Sequence, residues 1–183
     1  MKTGVFYFVR HGESEWNIAN KICGATDIPL TAHGIAQAHA LGEKIREEGL
    51  HIDKVLCSPL RRAKRTAEEI CAVTGFPLFE EERLREQNFG RYEGTPRNGE
   101  EFRIAKTRFI DSYGSGETML ETAHRVYSLL DEITSQTDTV YLLAAHNGIT
   151  RFVESYFRNM TNEEFASFGI GNCEIRTYTY TVR

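Results

Sequence analysis

The chain has 183 residues, 40% of them hydrophobic and 11% aromatic, and a net charge of −4. This suits a single domain over residues 1–183 and excludes disordered and fibrous classes. No apolar run reaches the roughly 20 residues of a spanning helix, no signal-peptide apolar region precedes the first strand-sized segment, and no basic face is implied. The expectation is therefore a cytoplasmic protein with neither membrane nor nucleic acid as a partner. Its oligomeric state is not readable.

Residues 4–9 (GVFYFV) form a continuous apolar run, as in a strand buried on both faces. Residues 31–49 read as a helix: Thr31 can cap it, Ile35, Ala38, Leu41 and Ile45 make one stripe, and Gly49 ends it. A second short strand spans 53–57. Ser58 is then expected to cap a helix with Pro59 at its first position, with Ala63, Ala67, Ile70 and Val73 facing inward and Gly75 stopping it. The stretch 86–116 is the least regular, glycine-rich, with a short helix expected near 102–110. Thr118 and Glu121 resemble a capping box, ahead of a helix that buries Ala123, Val126, Leu130 and Ile133. Residues 139–144 form another buried strand, 148–157 a helix, and 174–182 an alternating closing strand. Strand–helix alternation of this kind predicts a three-layer α/β/α sandwich around a mostly parallel sheet.

The cysteines, Cys23, Cys57, Cys71 and Cys173, are widely spaced and form no C-x-x-C pair. Free thiols are expected, with Cys57 and Cys71 in the core, and no zinc site.

In parallel sheets ligands bind beyond the carboxyl ends of the strands. His11 follows GVFYFV and His146 follows VYLLAA, so two histidines occupy such ends. A neutral imidazole is a competent nucleophile, the neighbouring Arg10 prepares the place for phosphate, and Gly12 permits close backbone approach to a ligand. Arg62 lies in the first turn of the helix expected after Ser58, where its charge joins the positive end of the dipole. Arg10, Arg61, Arg62, Lys64 and Arg65 together suggest a positive pocket in an acidic chain, suited to a small anion. At the turn after His146, backbone N–H groups of Asn147 and Gly148 could face the same anion. Spacing alone selects no acid; by itself Glu86 reads as a solvated loop carboxylate.

RHGESEWN (10–17) strongly resembles the signature of the histidine phosphatase superfamily, the phosphoglycerate-mutase-like proteins. Five further blocks follow in that family's order: CGATDIPLTAHGIAQA (23–38), SPLRRAKRTA (58–67), LREQNFGRYEG (84–94), GSGET (114–118) and AAHNG (144–148). The resemblance implies a phosphoglycerate-mutase-like fold and gives the residues roles. His11 would be the nucleophile that carries the phosphoryl group; Arg10, Arg62 and His146 would surround the phosphate oxygens. Glu86 would act as acid and then base. Asn17, Cys23, Gly24 and Asn147 would contact the substrate. No cofactor or metal is implied, because arginines can supply the charge. Activity is expected to fall once pH passes the pKa of Glu86.

Three departures stand out: Asn147 where the family commonly has Gly, Thr118 for serine, and Cys23 where mutases place threonine. The mutase branch also carries E-R-H-Y-G at the acid and a long insert after it. Here the acid block reads EQNFG, and Glu86 and His146 are only 60 positions apart. A short lid over 94–116 therefore points to hydrolysis of a small phosphorylated metabolite, as in the alpha-ribazole and broad-specificity phosphatases. Phosphoglycerate mutase and a catalytically silent phosphate-binding module are the alternatives. Arg97, Arg103, Lys106 and Arg108 in the lid would suit a small or multiply phosphorylated anion, or else form a solvated helix face.

Overall fold

The computed structural model describes residues 2–182; the outermost residues of the expected domain, 1 and 183, lie outside it. Strands β1 (Lys2–Arg10), β2 (Lys54–Cys57), β3 (Leu78–Glu80), β4 (Tyr141–Ala145) and β5 (Ile175–Val182) form one sheet in the order β3-β2-β4-β1-β5. The first four run parallel and β5 lies antiparallel to β1. The expected three-layer, mostly parallel α/β architecture is present.

The period-2 alternation of strand side chains divides the core into two layers. Phe6, Phe8, Leu143 and Ala145 face one side, against Val126, Leu130 and Ile133 of α5 (Met119–Thr134) and Ile149, Phe152 and Val153 of α6 (Asn147–Phe157). Val9, Val55, Cys57, Leu142 and Ala144 face the other, against Leu41 and Ile45 of α2 (Ala32–Glu47) and Ala67 and Ile70 of α3 (Arg61–Thr74). Both faces being covered explains why β1 and β4 read as unbroken apolar runs rather than alternating ones.

Several expected boundaries need correction. Ser58 does not cap α3, whose first helical residue is Arg61, with Leu60 in the cap position. The Ser58 hydroxyl instead accepts from Leu60 N (3.3 Å) and pairs with His146 Nε2 (2.7 Å). The helix expected near 102–110 is α4, Glu100–Ala105. It packs with Ile22, Phe89, Tyr92 and Tyr113 in a small aromatic core of its own. Strand β3 and the short helices α1 (Glu15–Ile18) and α7 (Asn162–Ser167) were not expected. The α7 cap was legible, since Thr161 and Glu164 form a reciprocal capping box. Among the described residues no helix is long and apolar enough to cross a membrane. The four cysteines are unpaired.

Candidate active site

Strands β1 and β4 are neighbours, and Arg10 stands opposite Ala145 in their register. The residues that follow therefore emerge side by side: His11 N donates to Ala145 O (2.9 Å), and the two imidazole centroids are 5.3 Å apart. Strand β2 lies on the far side of β4, so Ser58 at its end reaches His146.

His11 is buried. Its Nδ1 lies 2.7 Å from the Gly12 carbonyl. A carbonyl only accepts, so Nδ1 carries the proton and Nε2 keeps its lone pair. Burial first, then the charges of Arg62 and Arg10, hold the imidazole pKa well below its usual 6.5. The ring is thus neutral near pH 7. His146 is fully buried and is held neutral in the same way, by burial and by Arg62.

Arg62 is fully buried, and its fork is filled on one side by Thr26 O (2.9 Å) and Gly24 O (2.7 Å). Arg10 donates to Ile170 O; burial, then the charge of Arg97, pushes its pKa down to about 10. Nε of Arg10, Nε of Arg62 and Nδ1 of His146 are all buried without a partner. Buried polar atoms are nearly always hydrogen-bonded, so orphans on these three side chains mark a place for an acceptor-rich ligand.

Glu86 overturns its reading as a solvated loop carboxylate: it is only 6% exposed. Its oxygens accept from Gly148 N (2.8 Å) and Gln87 N (2.9 Å). Burial pushes its pKa above the usual carboxylate value, against Arg151 and those two N–H groups. The α6 N-terminus thus faces the chain's own acid. A Cβ at residue 148 would collide with that carboxylate and displace it.

Gly12 needs its missing Cβ for a different reason than ligand approach: a Cβ would strike the Gly34 backbone at the start of α2. Its N–H donates to Thr66 Oγ1 (3.0 Å), which itself donates to Arg62 O (2.8 Å). Of the five basic residues expected to make a pocket, only Arg10 and Arg62 turn inward. Arg61 is exposed, Lys64 pairs with Glu80, and Arg65 with Glu69.

A cavity of about 170 Å³ opens above His11. Arg10, His11, Asn17, Cys23, Glu86 and Asn147 all line it. Asn17 Oδ1 accepts from Ser14 N (3.0 Å) and Asn172 Nδ2 (3.2 Å), and Asn147 Oδ1 accepts from Ile170 N (2.9 Å). Burial pushes the Cys23 thiol up to about 11, so it stays protonated. Gly24 is not on the wall; its carbonyl holds Arg62 from behind. Arg97 and Lys106 also line the cavity, whereas Arg103 and Arg108 are exposed and lie near Glu100 and Asp111.

Three contributors escaped the sequence reading. Arg151, on α6, reaches the cavity wall with its Nε on Gly148 O (3.2 Å). Asn172 donates to His11 O (2.9 Å). Glu93 gathers donors from Gly24 N, Ala25 N, Thr26 N, Thr26 Oγ1 and Phe89 N, all within 3.3 Å, and so shapes the loop that holds Arg62. Only the four-residue spacing of Arg151 from Asn147, one helical turn, hinted at its side of α6. Among the described residues no group of three or more His, Cys, Asp or Glu is placed to hold a metal ion.

Residues 6–183 match the model of the histidine phosphatase superfamily (branch 1), and the chain belongs to that family. It is 37% identical over 132 residues to a protein of Yersinia pestis named as a probable phosphoglycerate mutase, GpmB, covering 68% of this chain and 60% of that protein. The chain thus matches less than two thirds of the length of these curated relatives. Among solved structures, the mycobacterial glucosyl-3-phosphoglycerate phosphatase aligns with a TM-score of 0.81 and 22% identity, over 97% of this chain and 91% of that one. A candidate alpha-ribazole-5'-P phosphatase of Escherichia coli K-12 gives 0.82 and 23%, over the same shares. At these identities the two structures establish a common fold.

Proposed function

We propose that this chain hydrolyses phosphate monoesters of small metabolites through a phosphohistidine on His11, with no metal ion. The observation that carries this reading is the fixed, neutral tautomer of His11: a free Nε2 lone pair on a ring that lines the cavity, with Arg10, Arg62 and His146 around it and a carboxyl of raised pKa on the same cavity wall.

Nε2 attacks phosphorus in line as the ester P–O bond breaks, and protonated Glu86 gives its proton to the departing alkoxide. Water then attacks the phosphohistidine and yields its proton to Glu86, releasing inorganic phosphate and restoring both groups. The unpartnered Nε atoms of Arg10 and Arg62 would meet phosphoryl oxygens, whose charge grows in the transition state. The raised pKa of Glu86 suits a donor; activity falls as pH rises through it. A cavity of about 170 Å³, below the roughly 300–1,000 Å³ of drug-sized pockets, fits a small phosphorylated headgroup.

The test is turnover of nitrophenyl phosphate in EDTA. Activity should persist in chelator, and His11→Ala should abolish it along with the acid-labile phosphoprotein seen on rapid quenching. Near wild-type turnover in His11→Ala, or loss in EDTA, would end the reading. Glu86→Gln should impair alkyl phosphates far more than nitrophenyl phosphate, whose leaving group needs no proton. Equal losses would remove Glu86 from the acid role. The curated relatives favour a mutase as the second reading. It requires phosphoglycerate interconversion to outrun phosphate release, and the short stretch between Glu86 and His146 weighs against the closed site that this needs.

A further inference from the structure

We infer that Asn147 is a positioning residue: it holds the segment over residues 168–174, and that segment in turn aims the Arg10 guanidinium into the cavity. The inference rests on the proposed function only for what Arg10 binds there.

Residues 168–174 join α7 to β5 and pack against the carboxyl end of β1. Cys173 N donates to Arg10 O (3.0 Å), Arg10 N to Glu174 O (3.4 Å) and Asn172 Nδ2 to His11 O (2.9 Å). These bonds fix the backbone of Arg10 and His11 but leave the guanidinium to be placed. That task falls to Ile170. Its carbonyl accepts from Arg10 Nη1, and its N–H donates to Asn147 Oδ1 (2.9 Å). One residue is thus gripped from two sides, by the arginine at the end of β1 and by the first residue of α6. The Ile170 side chain is buried in the core beneath α5 and α6, which fixes the residue a third time.

With Nη1 committed to that carbonyl, Nε of Arg10 is left buried and unpartnered. The guanidinium is planar, so one anchored nitrogen sets the direction of the remaining donors. Among the described residues Asn147 is the only acceptor for the Ile170 N–H. Leaving that N–H unpaired is costly, so loss of Oδ1 would release the segment and, with it, the carbonyl on Arg10. The Asn147 amide also lies against Gly169, where a Cβ would stand 2.7 Å from both Oδ1 and Nδ2. Gly169 is outside the left-handed region, so alanine there would crowd the amide without straining the backbone. Because Asn147 lines the cavity, direct contact with the substrate is the competing role.

The test reads Arg10 itself. In nitrogen–proton correlation spectra of the ligand-free protein, the Arg10 Nε–H resonance is assigned by its loss in Arg10→Lys. It should move or broaden in Asn147→Ala. Gly169→Ala keeps the asparagine but displaces its amide, and should move the same resonance. A resonance unchanged in Asn147→Ala or, were that variant not to fold, in Gly169→Ala, would overturn the inference and leave the hydrolase reading intact. Asn147→Ala should also lower kcat/KM for nitrophenyl phosphate about 10-fold, the scale of one hydrogen bond to a charged group. In an Arg10→Gln background that loss should largely vanish, because the two residues act as a unit. No loss, or a loss that adds in full to that of Arg10→Gln, would equally overturn the positioning role. If the wild type turned over no ester, the hydrolase reading would fail by itself, and the Arg10 resonance would still decide the role of Asn147.

Discussion

Gly148 positions Glu86 in two ways. Its N–H holds one oxygen of Glu86, and its missing Cβ leaves room for that carboxylate. Gly148→Ala should therefore push Glu86 out of place without emptying the core. Turnover of alkyl phosphates should drop by about 10-fold or more as the acid loses its position, with a melting temperature close to that of the wild type. An alanine variant of normal activity would show that Glu86 needs no such seat. His11 follows the same logic on a smaller scale. One bond to its own chain neighbour's carbonyl decides which ring nitrogen is nucleophilic.

The element that most governs Arg62 is the loop over residues 23–26, whose carbonyls fill one side of its guanidinium. That loop has no regular backbone pairing of its own and is gathered by Glu93. A carboxylate accepting several backbone N–H groups is a strong, charge-assisted anchor. Glu93→Gln removes the charge and turns one accepting atom into a donor that faces N–H groups. Inhibition by inorganic phosphate should weaken about 10-fold as Arg62 loses its backing, and stability should drop by about 1–3 kcal/mol. Unchanged phosphate affinity, read from competitive inhibition, would mean that Arg62 is held by α3 alone.

Across the whole molecule, the site places two imidazoles in a buried, cationic setting, and this has a cost in acid. Both have folded pKa values well below 6.5. In the unfolded chain they would take up protons near pH 6.5, whereas the folded chain refuses them until lower pH. The unfolded state binds more protons in that window, so stability falls as pH drops from about 7 toward 5.5. In phosphate-free buffer, urea midpoints should follow this slope, and His146→Asn should flatten it. A wild-type midpoint flat over that range would contradict the lowered values.

Much of this arrangement was open to reading from the chain itself. Covered strands must be apolar on both faces, so residues 4–9 and 139–144 declared themselves, and a parallel sheet puts chemistry at strand ends. His11 and His146 followed from that alone. Arg62 and Glu86 did not: only the resemblance of whole blocks selected them, because nothing local distinguishes an inward arginine from Arg61, or a buried acid from its neighbours. The adjacency of β1 and β4, separated by some 130 residues of chain, is a matter of sheet order. Only that order brings the imidazoles together and frees Ser58 from capping duty. The tautomer of His11, the seat of Glu86 against Gly148 and the joint hold of Asn147 and Arg10 on Ile170 likewise belong to the tertiary structure. Local propensity acts over a helical turn or a strand pair, whereas burial and orphaned donors exist only once distant segments have packed.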